Sequence, residues 1–199
     1  MAQRPLATAI FGAGNIFAWP PRALMRETGN PLIAEIAVKR SLVSREVAID
    51  VTGRERFGIW CFSEAGSEPL CFWFDGRDGL LLEETLVPDG RLIRTVREAA
   101  PPPLPAIGAR VLGAPRFARL MSVFSLSATH ALPVRDVRVD RALEEVSFEL
   151  ASGTAVHMSL RLSTESPFEA LVAFLESHDA RRVRSIDLTV EHRLYWVPR

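Results

Sequence analysis

Two cysteines in a run of large apolar side chains are the first residues of this sequence that could do chemistry. Cys61 and Cys71 lie ten residues apart, too far for a CxxC redox motif, and the chain has no second ligand pair for a zinc site. If residues 57–62 and 70–75 form a hairpin that turns around Gly66, the two cysteines face each other. Facing residues have Cβ atoms about 4.5–5.5 Å apart, which is near the separation that a disulfide needs. A cross-strand disulfide, which would fit an oxidising compartment, and a pair of buried thiols both stay open.

The segment DGRDG at residues 75–79 directly follows the second cysteine strand and resembles the beginning of a calcium loop. An EF-hand needs further acidic residues at alternate positions and a closing glutamate between two helices. Here both flanking segments have the pattern of strands. The sequence therefore predicts a tight turn, and we expect neither a metal nor a cofactor.

The remaining residue types with catalytic potential do not form a recognisable motif. No two histidines are spaced four residues apart, no serine lies in a Gly-x-Ser-x-Gly elbow, and GAGNIF at residues 12–17 lacks the third glycine of a dinucleotide site. We expect structural or surface roles for the four histidines and no enzymatic activity. A hydrolase that uses His157 or His192 with nearby acids is the weaker alternative. The four histidines are His130, His157, His178 and His192.

Composition excludes several classes of protein. The 199 residues are 48% hydrophobic and 24% charged, which is ordinary for a globular chain, and the formal net charge is zero. A nucleic-acid partner is not expected, because phosphate binding needs a basic surplus. No stretch approaches the ~18–20 apolar residues of a membrane helix, and no signal peptide opens the chain.

The elements that must position these residues follow from hydrophobic periodicity. Residues 6–30 predict helical structure, and alternation over 36–40 and 47–51 predicts a hairpin with one buried face. Ser166, followed by proline and then Glu169, predicts a capped helix start. The other predicted strands are 57–62, 70–75, 80–86, 91–97, 134–139, 145–150, 155–162 and the closing run 185–197, with a further helix at 115–126. The fold class is therefore α+β with mostly antiparallel pairing.

Several of these segments together resemble the extracytoplasmic region of the FtsQ/DivIB cell-division family. The stretch NPLIAEIAVKRSLVSREVAIDVTGRERFGIWC is similar to the family's turn, strand, basic residue and second strand. CFWFDGRDGLLLEE resembles its strand-turn-strand, LASGTAVHMSL its Gly-Thr hairpin, and SIDLTVEHRLYWV its closing strands. The motifs follow the family's order across nearly the whole chain.

The resemblance implies two domains. Residues 1–54 would be a POTRA-type domain of helix, helix, strand and strand, and residues 55–199 the family's mostly antiparallel β domain with two helices. The proline-rich run at 98–105, which alone suggests a linker, then becomes a loop within the second domain. The chain opens inside the first POTRA helix, so the first strand, the membrane helix and the cytoplasmic tail are expected to be missing by truncation.

The resemblance also implies a function. Family members are non-enzymatic divisome components at the extracytoplasmic face of the cytoplasmic membrane, at the division site. They bind the small bitopic division proteins FtsB and FtsL by strand addition at the C-terminal edge of the β domain. The matching segment supplies eight candidate contact residues: Ser185, Ile186, Leu188, Arg193, Leu194, Tyr195, Trp196 and Val197.

Among these candidates, Leu194, Tyr195 and Trp196 are the expected anchors, because aromatic residues are frequent binding hot spots. Arg193 is the expected ion-pair partner. Leu194 and Trp196 could equally belong to the core, whereas Tyr195, on the opposite face of the strand, is the better exposed contact. A POTRA-type adaptor of an outer-membrane assembly system is the alternative from the same structural class.

Overall fold

A computed structural model describes residues 29–199, except 42, 45, 64, 65, 89, 91, 100–103 and 178. The chain divides into two compact units between Glu55 and Arg56. The division falls one residue from the boundary that the family resemblance implies. The helical segment predicted before Gly29, GAGNIF and His178 lie outside the described residues. No helix in the described ranges is long and apolar enough to cross a membrane.

The described part of the first unit is an antiparallel hairpin of β1 (Ile33–Ser41) and β2 (Glu46–Gly53). The hairpin confirms the prediction, and the expected buried face is present on β1 but not along β2. Ile36 is 7% exposed, whereas Ile49 and Val51 on β2 are 52% and 57% exposed. Alternation alone shows that a strand has two different faces, and it does not show what covers either of them.

One exposed ion pair crosses this hairpin. Lys39 Nζ lies 2.8 Å from Asp50 Oδ2, and the hydrogen bond that Lys39 donates to Asp50, together with the charge of Asp50, raises the pKa of Lys39 above its usual range. Both side chains are more than half exposed, so solvent screens the attraction and the pair contributes little to stability.

The described residues of the second unit form one nine-stranded sheet with two helices. The strands are β3 (Arg56–Ser63), β4 (Leu70–Asp75), β5 (Leu81–Thr85), β6 (Thr95–Ala99), β7 (Val134–Asp140), β8 (Glu145–Leu150), β9 (Ala155–Ser159), β10 (Val183–Leu188) and β11 (Tyr195–Pro198). Their order in the sheet is β11-β10-β9-β8-β7-β6-β3-β4-β5. The helices are α1 (Ala114–Thr129) and α2 (Glu165–Ser177), and a short 3-10 helix spans Ala180–Arg182.

The described fold is α+β with mostly antiparallel pairing, as the sequence predicts. Three pairings are parallel, however: β3 with β6, β6 with β7, and β9 with β10. Each parallel pair needs a long crossover connection, and α1 and α2 lie within two of these connections. The helices therefore form the crossover connections of two parallel pairs, and they also cover one face of the sheet.

Alternate strand residues and the inner faces of both helices form one core. Trp60, Val96 and Val137 occupy one cross-strand row of it, and Phe117 from α1 and Phe168 from α2 belong to the same cluster. These side chains are at most 2% exposed, which is the burial that drives folding of an amphipathic helix onto a sheet.

Helix α2 begins at Glu165, two residues earlier than the predicted cap at Ser166 implies. The Phe168 N–H donates to the Thr164 carbonyl at 3.1 Å, so Ser166 lies inside the first turn and the capping box predicted with Glu169 is wrong. Cap signals fix a helix end only to within a residue or two.

Helix α1 ends in a Schellman motif with alanine at the left-handed position. The Leu132 N–H donates to Ser127 O, the Ala131 N–H donates to Ala128 O, and Ala131 has a φ of 51°. Glycine is preferred at this position because a Cβ is strained there. We expect Ala131→Gly to raise the free energy of unfolding by about 1 kcal/mol, measured by urea denaturation.

The matched control for this substitution is Ala118→Gly, at an exposed site in the interior of the same helix. There, glycine removes no strain and adds backbone freedom, so it should lower stability by about 1 kcal/mol. Equal signs for the two substitutions would contradict the strained cap.

Candidate partner-binding edge

The C-terminal strand β11 is the last strand on one side of the nine-stranded sheet. It pairs antiparallel with β10, with Ser185 facing Val197, and Ile186 facing Trp196. β10 is also paired on its other side with β9, so β10 is an interior strand. Of the two strands in the predicted partner-binding segment, only β11 presents a backbone edge.

The eight predicted contact residues accordingly fall into two groups. Ile186 and Leu188 are 0% and 2% exposed and belong to the core, so their side chains are closed to a partner in this structure. Ser185 is half-buried on β10. The remaining five lie on β11 or in the turn before it: Arg193, Leu194, Tyr195, Trp196 and Val197.

Three consecutive large side chains on β11 are open to solvent. Tyr195, Trp196 and Val197 are 49%, 44% and 48% exposed. Trp196 lies on the core side of the sheet, where its ring is 5.8 Å from that of Phe174 on α2. Leu194 is half-buried and packs against the core. Apolar side chains therefore flank the edge on both of its faces.

The turn before β11 and the residue after it hold this edge in place. Asp187 Oδ1 accepts hydrogen bonds from the N–H and the hydroxyl of Thr189 at 2.9 and 2.7 Å. Beyond the strand, the Arg199 N–H donates to Arg182 O at 2.9 Å, and its guanidinium donates to Gly153 O at 2.9 Å. β11 is short, and these contacts fix both of its ends.

Arg193 and Tyr195 form a polar contact at the exposed edge. Arg193 Nη1 donates to the Tyr195 hydroxyl at 3.1 Å, and both residues are exposed. The contact orients the only tyrosine of the chain without burying it. A ring held at the surface in this way loses little conformational entropy when it binds, which is what makes tyrosine effective at interfaces.

The cysteines lie where the hairpin register predicts. Cys61 on β3 faces Cys71 on β4, Ile59 faces Trp73, and the two cysteines are joined in a disulfide. Ile59 and the two cysteines form a small buried cluster separate from the main core. The disulfide links neighbouring strands in the interior of the sheet, away from the β11 end.

The DGRDG segment is the predicted turn, between β4 and β5. Asp75 Oδ1 accepts from the Arg77 N–H at 2.9 Å, and Asp78 Oδ2 accepts from Arg110 at 3.2 Å. Both carboxylates thus form hydrogen bonds within the turn or to the neighbouring Arg110. In the described ranges, no three histidine, cysteine or acidic residues come together as metal ligands.

Three of the four histidines are described, and they lie on different elements. His130 caps the end of α1, His157 lies on β9, and His192 is exposed in the turn before β11. The sheet register places His157 between Ser147 on β8 and Asp187 on β10. Sequence spacing could not reveal this row, because β9 and β10 are separated in the chain by α2. Asp187 already accepts two hydrogen bonds from Thr189.

A scan against protein-family models gives no match for this sequence, and a comparison with curated proteins gives none either. The resemblance to the FtsQ/DivIB family therefore rests on the sequence segments themselves. What that resemblance implies about function is a proposal.

Proposed function

We propose that this protein is a non-enzymatic interaction protein of the bacterial divisome that binds its partners by strand addition at β11. The observation that carries the proposal is the position of β11 as an edge strand with every one of its residues exposed. An edge strand offers a row of backbone donors and acceptors to an incoming strand, and the flanking side chains determine which strand fits.

Exposed apolar residues on this edge favour a partner that covers them. Natural sheets protect their edges with charges, bulges or proline, because an apolar edge promotes aggregation. Here Pro198 ends the strand, but Tyr195, Trp196 and Val197 ahead of it are each nearly half exposed. A partner strand beside these three residues would bury two aromatic rings at the centre of the contact, where hot spots concentrate.

The proposed partners are FtsB-like and FtsL-like division proteins at the extracytoplasmic face of the cytoplasmic membrane. This part of the proposal rests on the family resemblance, with the first unit as a POTRA-type domain and the second as the β domain. The disulfide between Cys61 and Cys71 supports an oxidising compartment, because such bonds are rarely maintained in the cytosol.

Proline at Tyr195 tests strand addition directly. Proline removes a backbone N–H and cannot continue a β ladder, so we expect Tyr195→Pro to weaken binding of an FtsB-like partner by about tenfold or more. Val197→Asp, which places a charge on the same edge, should act in the same direction. Isothermal titration calorimetry with the partner's extracytoplasmic segment measures both.

Val190→Asp is the matched control for these edge variants. Val190 is 46% exposed, close to the 48% of Val197, but it lies in the turn before β11. It should leave the dissociation constant unchanged, and circular dichroism should show that all three variants are folded. Wild-type affinity in both edge variants would disprove strand addition at β11.

A further inference from the structure

A groove of about 690 Å³ lies on the second unit, where the first residues of β6 and β7 meet the end of α1. This volume lies within the range of about 300–1,000 Å³ that is typical of ligand pockets. The groove shares no lining residue with the β11 edge. Its walls combine three aromatic and three basic side chains: Phe57, Trp73, Phe124, Arg94, Arg97 and Arg135.

The lining of the groove carries a positive surplus. Asp136 is the single carboxylate among its described lining residues, and it forms an ion pair with Arg97 at 2.8 Å. Two guanidinium groups are therefore not neutralised within the lining. Arg135 faces Glu149 across the β7–β8 pair, but Glu149 does not line the groove. Arg94 lies over the Phe57 ring at 4.8 Å, so a cation and an aromatic wall are adjacent.

One residue that lines the groove has a strained backbone that no helix end explains. Two lining residues, Ala131 and Asp136, have positive φ, and that of Ala131 belongs to the end of α1. Asp136 has a φ of 46° within a register shift between Arg135 and Arg138. Side chains of a regular strand alternate between faces, whereas this irregularity lets Arg135 and Asp136 both line the groove. Such strained positions cluster at binding sites.

We propose that this groove binds an acidic peptide segment of a partner protein. A carboxylate of the peptide is held by Arg94 and Arg135, whose planar guanidinium groups suit a carboxylate in two-pronged contact. An aromatic or large aliphatic side chain of the peptide, next to this carboxylate, lies against Phe57 and Phe124. The charge of the lining selects an acidic partner, and the apolar wall selects one with a large side chain beside its acid.

A short fluorescein-labelled peptide in which glutamates flank a central phenylalanine tests the proposal by fluorescence anisotropy with the full chain. We expect saturable binding that weakens with salt, and no binding of the same peptide with glutamine in place of glutamate. Arg135→Ala and Arg94→Ala should each weaken binding about tenfold, since each removes a charged hydrogen-bond donor.

Arg138→Ala is the control, because Arg138 is exposed on the same strand β7 and does not line the groove. It should bind the peptide as the wild type does. Equal binding of the glutamine peptide, or wild-type affinity in folded Arg94→Ala and Arg135→Ala, would overturn the proposal. So would full competition by free glutamate, which would indicate a small-carboxylate site, or binding to anionic lipid vesicles in place of the peptide.

Discussion

Replacing Glu98 by alanine should lower the free energy of unfolding by about 2–3 kcal/mol, because it removes a buried carboxylate that accepts three hydrogen bonds. The Glu98 side chain is 1% exposed, and its carboxylate accepts hydrogen bonds from Arg141 at 2.6 and 3.1 Å and from Trp60 Nε1 at 3.0 Å. Without the carboxylate, the indole N–H of a residue that is 0% exposed has no acceptor. Urea denaturation followed by circular dichroism measures the loss.

We expect the loss of the Glu98 network to have a large effect because the network joins segments that are far apart in the chain. Arg141, in the turn between β7 and β8, also donates to Val111 O at 2.6 Å, in the segment that leads into α1. Glu98 and Arg141 together thus tie β3, β6, the β7–β8 turn and this segment to one another. Glu98→Gln keeps an acceptor for Trp60 and should fall between wild type and Glu98→Ala.

Arg97→Ala provides the comparison within the same strand. Arg97 is the residue before Glu98, and its ion pair with Asp136 joins side chains that are 43% and 37% exposed. Solvent screens such a pair, so its loss should cost no more than about 1 kcal/mol. Equal stability of the two alanine variants would show that burial of the Glu98 network adds nothing to the stability of the fold.

Local sequence patterns predict the parts of this fold that are close in the chain. The β3–β4 register follows from two apolar runs around one glycine turn, and facing residues such as Cys61 and Cys71 could be paired by counting. The 16 residues of α1 contain the predicted helix at 115–126, because its apolar residues recur at helical spacing. Both patterns depend only on neighbours within one hairpin or one helix.

Long-range pairing is what the sequence could not predict. Nothing in the local pattern of β6 shows that it pairs with β3 and β7. The sequence therefore predicts that this strand starts at residue 91, four residues before its first residue in the structure, Thr95. For the same reason, the sequence could not separate Ile186 from Trp196 as contact residues. They face each other on neighbouring strands, and only the order of strands in the sheet makes β10 interior and β11 an edge.

The acidic turn beside the second cysteine strand leads to the second large effect. We expect Gly79→Ala to lower the free energy of unfolding by about 3 kcal/mol, as the sum of backbone strain and overpacking. Gly79 has a φ of 69°, and a Cβ there would lie 2.8 Å from Phe117 Cδ2 and 2.9 Å from Val111 Cγ2. Both of those side chains are at most 2% exposed in the core, so neither can move aside without opening a cavity.

Gly108→Ala separates the two contributions. Gly108 has a φ of 85°, but a Cβ there would meet no atom within 4 Å, so alanine should cost only the backbone term of about 1–2 kcal/mol. The difference between the two variants, measured by urea denaturation, is then the cost of forcing a methyl group against Phe117 and Val111. Equal losses would mean that the core relaxes around Gly79, and that this glycine is required only for its backbone conformation. A larger loss at Gly79 would show that the turn also brings β4, β5 and α1 too close together for any side chain at this position.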